Sequence, residues 1–152
     1  DLLSNTFMLR VLPPLVPSRS KRVVKSPKIH LRDSGILHAL LRIDSFDDLL
    51  GHPALGPSWE ALVLENVIAA APGWEPFFYR TANGAEIDLV LERGRHKIAV
   101  ECKASAVPRV TRGFWSAIED LGVQKAWVIA PVKDAYPIGP NTTVAPLKAF
   151  CV

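Results

Sequence analysis

The stretch from Ala85 to Ala104, A-E-I-D-L-V-L-E-R-G-R-H-K-I-A-V-E-C-K-A, constrains this chain more than any other. It reads as two strands joined at Gly94-Arg95, with side chains alternating between faces. Ile87, Leu89, Leu91, Ile98, Val100 and Cys102 form one apolar face. Glu86, Asp88, Val90, Glu92, Lys97, Ala99, Glu101 and Lys103 form the other. A turn centred between Gly94 and Arg95 pairs residues whose numbers sum to 189, which sets Asp88 opposite Glu101 and Glu86 opposite Lys103. Directly opposed side chains have Cβ atoms roughly 5 Å apart, and like charges there repel. Two facing carboxylates need compensation, and a divalent cation supplies it.

Around this hairpin the patterning predicts an α/β fold. Asp33 and Ser34 are N-cap candidates for a short amphipathic helix carrying Ile36, Leu37, Leu40 and Leu41, and Phe46 to Leu50 adds a further turn. A stronger helix is expected from about Pro57 to Ala71, with Trp59, Leu62, Val63, Val67 and Ile68 as its apolar stripe and Glu60 in its first turn. Glu75 to Arg80 reads as a strand and Ala82-Asn83-Gly84 as a turn. Phe114, Trp115, Ile118 and Leu121 recur at helical spacing before Gly122. Ala126 to Ala130 reads as a buried strand, with another beginning at Thr143-Val144. Three strands in a meander, then a helix leading to another strand, predict a mixed central sheet flanked by helices.

The first 32 residues differ from the rest. Arg10, Arg19, Lys21, Arg22, Lys25, Lys28 and Arg32 stand against Asp1 alone, so this segment is +6 in a chain of net charge +3. Pro13, Pro14 and Pro17 favour an extended path, and Leu12 to Lys28 reads as an arm outside the core. Arg19, Lys21, Arg22, Lys25 and Lys28 are then candidates for phosphate contacts with nucleic acid. The competing reading is a solvated loop against a partner domain. The expected division is a basic arm or connector over 1–32 and a domain over 33–152.

On the polar face, Asp88 and Glu101 form a candidate site for one Mg²⁺ or Mn²⁺, with the backbone carbonyl of Cys102 as a further ligand. Lys103 projects from the same side as Glu101, where an ammonium can orient or help deprotonate water and neutralise a phosphate oxygen. Glu60 is a candidate outer ligand. Such a set fits metal-assisted phosphodiester hydrolysis. It equally fits ordinary cross-strand ion pairs, Glu86 with Lys103 and Glu92 with Lys97, on a wet sheet face. Glu65, five residues beyond Glu60, falls on another helix face and reads as solvated. His30, His38, His52 and His96 lack zinc-ligand spacing, and His96, in the hairpin turn, is the one nearest the chemistry. Trp59, Trp74, Trp115 and Trp127 read as core.

Four ordered blocks resemble a known family: K-S-P-K-I-H-L-R-D-S-G-I-L at Lys25 to Leu37, G-P-S-W-E-A-L-V at Gly56 to Val63, F-Y-R-T-A-N-G-A-E-I-D-L-V-L-E at Phe78 to Glu92, and I-A-V-E-C-K-A-S at Ile98 to Ser105. Together they resemble the DUF4143 domain that follows the ATPase module in prokaryotic AAA-type ATPases. That domain is related to the PD-(D/E)xK, restriction-endonuclease-like superfamily. The resemblance implies a restriction-endonuclease-like core with an extended N-terminal arm. It assigns Glu60 as the helix acid, Asp88 as the metal-binding aspartate, and Glu101 and Lys103 as the E-x-K pair. Ile87, not proline, precedes Asp88, which departs from the superfamily's name.

The resemblance also implies an ATPase module upstream, although no G-x-x-x-x-G-K-[ST] loop occurs here, so no ATP or other nucleotide site is expected in this chain. No apolar run spans a bilayer, no signal peptide opens the chain, and the start at Asp1 reads as that of a fragment. With only Cys102 and Cys151, no disulfide framework is expected, Cys102 reads as a buried small hydrophobe, and a reducing cytoplasm is the expected compartment. Two functions follow as expectations: a Mg²⁺- or Mn²⁺-dependent nuclease acting on DNA, or a non-catalytic nucleic-acid- or protein-binding module that regulates the attached ATPase.

Overall fold

Hydrogen bonds along a central sheet organise the computed structural model, which describes residues 2–17 and 23–151. The elements in chain order are α1 (Leu2–Asn5), β1 (Leu9–Leu12), β2 (Lys28–Leu31), α2 (Ser34–Leu40), α3 (Phe46–Leu50), α4 (Leu55–Ala69), β3 (Glu75–Arg80), β4 (Glu86–Arg93) and β5 (His96–Cys102). They continue with α5 (Arg112–Leu121), β6 (Lys125–Ile129), β7 (Tyr136–Gly139), β8 (Thr142–Ala145) and a short 3₁₀ turn at Leu147–Ala149. The main sheet runs β3-β4-β5-β6-β8-β7. Its first three strands are an antiparallel meander, and β6 joins β5 in parallel after the α5 crossover. This is the mixed, helix-flanked α/β sheet expected from the patterning.

Local signals placed several boundaries. Asp33 accepts a hydrogen bond from Ile36 N and starts α2. Thr111 does the same for Phe114 N, and Gly122 closes α5 in the left-handed region at φ 61°. Gly94 turns the β4–β5 hairpin at φ 62°, and Leu89–Val100, Val90–Ala99 and Arg93–His96 pair in the expected register. Helix α4 begins two residues before Pro57, so Glu60 lies in its second turn.

The hairpin's faces are not those of strict alternation. Phe77 pairs with Val90 but Tyr79 pairs with Ile87, so Phe78 alone stands opposite both Asp88 and Leu89. This β-bulge inserts one residue into β4 and reverses the parity of everything before it. Ile87 therefore packs with Val90 and Ala99 in the cluster under α5, while Leu89, Leu91 and Val100 pack under α4 with Val63, Leu64 and Val67. Both sheet faces are covered, and the side holding Val90 and Ala99 is dry, not wet.

Over its described residues 12–17, the expected arm forms part of the core. Leu12 is fully buried in the α4-side cluster and Leu15 is buried in the other. Leu15 N donates to Phe78 O at 2.7 Å, and Phe78 N donates to Pro13 O at 3.0 Å. The segment thus covers the outer edge of β3, a place where prolines without an N–H are tolerated. The edge strand explains this correction: its unpaired backbone groups need partners that no sequence window near Leu12 shows.

Candidate active site

Asp88 sits in the bulge, where β4 and β5 part. Leu89–Val100 is the last backbone pair of that ladder, so Asp88 and Glu101 do not continue it. Instead Asp88 Oδ2 accepts a hydrogen bond from Cys102 N at 2.9 Å. Its other oxygen, Oδ1, lies 3.3 Å from Lys28 Nζ. Lys28 Nζ also reaches Glu60 Oε1 at 3.0 Å and Glu86 Oε1 at 3.3 Å. One ammonium on β2 thus meets acids from α4 and β4.

Glu101 lies on the next strand and is nearly inaccessible, 6 % exposed. Its Oε1 accepts from Lys103 Nζ at 2.7 Å, while its Oε2 is buried with no partner. Burial, then the charge of Asp88, push the Glu101 carboxyl up to about 7 despite Lys103. Burial also opposes the charge on Lys103, but the bond to Glu101 and the acids around it prevail and raise its pKa. Lys103 thus sits as a donor to Glu101. Glu60 is raised by burial and by Asp88, against the pull of Lys28.

Other expected contacts rearrange. Glu86 pairs with Lys28 and with Arg80, at 3.5 Å, rather than with Lys103. Glu92 and Lys97 do pair across the hairpin, at 3.3 Å. Glu65 is not a solvated acid: Arg10 holds it through two nitrogens, and Arg32 Nε adds a bond at 2.8 Å. Burial alone would raise the Glu65 pKa, but the two guanidinium groups outweigh it and hold the carboxyl below its ordinary range.

Lys28 is engaged by acids and is not free for phosphate, contrary to its expected role. Lys25 is exposed, while Arg19, Lys21 and Arg22 lie outside the described residues. His96 is exposed at the turn; the histidine near the acids is His30, whose Nε2 lies 3.8 Å from Glu60 Oε1. Burial and Lys28 lower its pKa and favour the neutral ring. Sequence reasoning missed His30 as a neighbour of the site, and missed Lys28 as the partner of Glu86. The signal for both, alternation of Lys28 and His30 along β2, is visible only once β2 is known to pack here.

The site carries more acids than cations. Four carboxylates, Glu60, Glu86, Asp88 and Glu101, outnumber Lys28 and Lys103, even with Arg80 added at the rim. A buried carboxylate oxygen without a partner demands a proton or a cation. Among the described residues no three His, Cys, Asp or Glu side chains are arranged to hold a metal ion. An ion at Asp88 and Glu101 would complete its shell with backbone carbonyl and water, the habit of Mg²⁺. Cys102, whose N–H already meets Asp88, offers that backbone. Its thiol is pushed well up by burial, which favours the neutral form.

Comparison with known proteins gives two family matches. The family described as Domain of unknown function (DUF4143) matches residues 55–150, and another, Domain of unknown function (DUF8612), matches residues 1–47. The acids of the site fall in the first match, and Lys28 falls in the second. Uncharacterized proteins of Mycobacterium tuberculosis and Mycobacterium bovis are each 34% identical over 146 residues, which cover 96% of this chain and 33% of theirs. The chain thus spans about a third of the length of the curated relatives it matches. No solved structure matches. Among the described residues, no helix is long and apolar enough to cross a membrane.

Proposed function

This chain belongs to the DUF4143 family, and from the acids gathered around Asp88 we propose that it is a nuclease-like domain whose chemistry is divalent-cation-dependent cleavage of DNA phosphodiesters. The observation that carries this reading is the buried, unpartnered Oε2 of Glu101, in the field of Asp88 and with its other oxygen braced by Lys103. Asp88, Glu101 and the carbonyl of Cys102 would hold Mg²⁺ or Mn²⁺, with Glu60 as an outer acid. When bound, such an ion polarises a phosphoryl oxygen and lowers the pKa of water. The Cys102 N–H orients Asp88. Lys103, kept charged, donates to a phosphate oxygen or to the attacking water. Burial and the charge of Asp88 raise the Glu101 carboxyl to about 7, and a bound cation would take the place of its proton. The basic residues Arg19, Lys21, Arg22 and Lys25 would add salt-sensitive phosphate contacts.

The test is cleavage of plasmid and branched DNA with Mn²⁺ by the wild type, Lys103→Ala and Asp88→Ala. Loss of cleavage in both variants is expected. Equal cleavage by all three chains, or none with any metal, rejects the reading.

A second reading is a non-catalytic module that binds nucleic acid or protein and regulates an ATPase placed upstream. The seat of Lys28 among Glu60, Glu86 and Asp88 favours it, because an ammonium there compensates the acids without a metal. This reading predicts DNA binding without turnover, weakening as salt rises.

A further inference from the structure

Lys28 reaches the site from a separate part of the chain, and its surroundings are those of a bound cation. Its Nζ lies 3.0 Å from Glu60 Oε1, 3.3 Å from Glu86 Oε1 and 3.3 Å from Asp88 Oδ1. The Phe78 ring centre is 5.6 Å from the same nitrogen. An ammonium in this position is largely stripped of water and takes its hydrogen bonds from carboxylates. The segment that delivers it is anchored independently. Arg10 and Arg32, on either side of Lys28, converge on Glu65 of α4, and Leu12 is buried beneath them.

We propose that Lys28 is a resident counter-ion that competes with the divalent cation for Asp88, so that the N-terminal segment withholds the site until its hold loosens. The inference rests on the reading of Asp88 and Glu101 as cation ligands. Both Asp88 oxygens are engaged, Oδ1 by Lys28 and Oδ2 by Cys102 N. A divalent ion sharing that carboxylate meets the positive charge of Lys28 at close range, inside a partly dry site where repulsion is poorly screened. Release of Lys28 frees an Asp88 lone pair, unpairs Glu60, leaves Glu86 with Arg80 alone, and widens the excess of acids. The clamp at Glu65 sets how readily that happens. It tethers the same segment through Arg10 and Arg32 without touching Asp88, Glu60 or Glu86.

The experiment is calorimetric titration of Mn²⁺ alone into the wild type, Lys28→Met and Glu65→Gln, with free Mn²⁺ followed by electron paramagnetic resonance. Lys28→Met keeps an apolar stem and deletes the charge. It is expected to bind Mn²⁺ about tenfold more tightly than the wild type, and Asp88→Asn in that background should abolish the gain. Glu65→Gln, which frees both arginines, should move affinity in the same direction by a smaller factor. Should Lys28→Met fail to fold, Glu65→Gln decides alone: tighter binding supports the gate, and unchanged or weaker binding overturns it. Equal or weaker binding by a folded Lys28→Met overturns the gate while leaving the cation site standing. No binding by any chain overturns both.

Discussion

Asp88 and Cys102 are joined by a side-chain-to-backbone hydrogen bond, 2.9 Å from Cys102 N to Asp88 Oδ2, just past the last backbone pair of their two strands. The carboxylate stands in for the next rung of the ladder and fixes its own orientation at the mouth of the site. Asp88→Ala leaves the Cys102 N–H and Lys28 short of an acceptor, and should cost about 1–3 kcal/mol in urea unfolding. Asp88→Asn keeps an acceptor oxygen and should lose less than half of that, while losing Mn²⁺ binding as completely as the alanine variant. Similar unfolding losses for both would show that the hydrogen bond does not stabilise the fold.

Glu101 makes stability depend on pH in an unusual direction. Its carboxyl is raised from the ordinary 4.5 to about 7. Between those values the folded chain holds a proton that the unfolded chain has lost, so stability falls as pH rises through that window and levels off above it. The expected fall is about 3 kcal/mol. Glu101→Gln should remove it. Urea midpoints from pH 4.5 to 8, with chelator present, would show a slope in the wild type that the variant lacks. Parallel profiles would exclude the raised carboxyl.

Glu65 has the opposite sign. Its carboxyl is held low in the folded state, so it stabilises the fold above its unfolded pKa, and that stability disappears as pH falls through its folded pKa. Glu65→Ala should cost about 1–3 kcal/mol at pH 7, with little difference from the wild type in strong acid. Limited proteolysis should also cut residues 23–28 faster in the variant. An unchanged cleavage rate would mean that the arginine clamp does not anchor the segment.

Gly113, in the first turn of α5, lies against the β3–β4 turn. A Cβ there would stand 2.1 Å from the backbone oxygen of Gly84, which itself adopts φ 85°. Backbone cannot yield as a flexible side chain does, so Gly113→Ala should destabilise the fold by about 2 kcal/mol or more. Thermal unfolding is the measurement, and a melting temperature equal to the wild type's would show that α5 is free to shift.

Much of the fold and part of the site were legible in the residue order. Thr111 and Gly122 mark the ends of α5 because a side-chain cap and a left-handed glycine act within a few residues. Gly94-Arg95 sets the hairpin register because a two-residue turn admits few pairings. The faces of β4 were not legible. Nothing around Asp88 announces a bulge, since the extra residue is counted only against β3, where Phe78 stands opposite both Asp88 and Leu89. Strand β7 was missed for a related reason: Tyr136, Pro137 and Ile138 are largely exposed at the sheet edge and show no alternation.

The residue order alone determined the hairpin's turn and its register up to Leu89–Val100, because strand period and turn length are local. Tertiary structure alone decided how the charge of the acids is balanced. Lys28 and Asp88 are separated by 60 residues, and Arg10 and Glu65 by 55, and each pair meets only because β2 and the segment before it pack on α4 and the edge of β3. Partners at that separation leave no periodic trace in a sequence. The burial that lifts Glu101 is likewise a property of the layers around it, not of its neighbours in the chain.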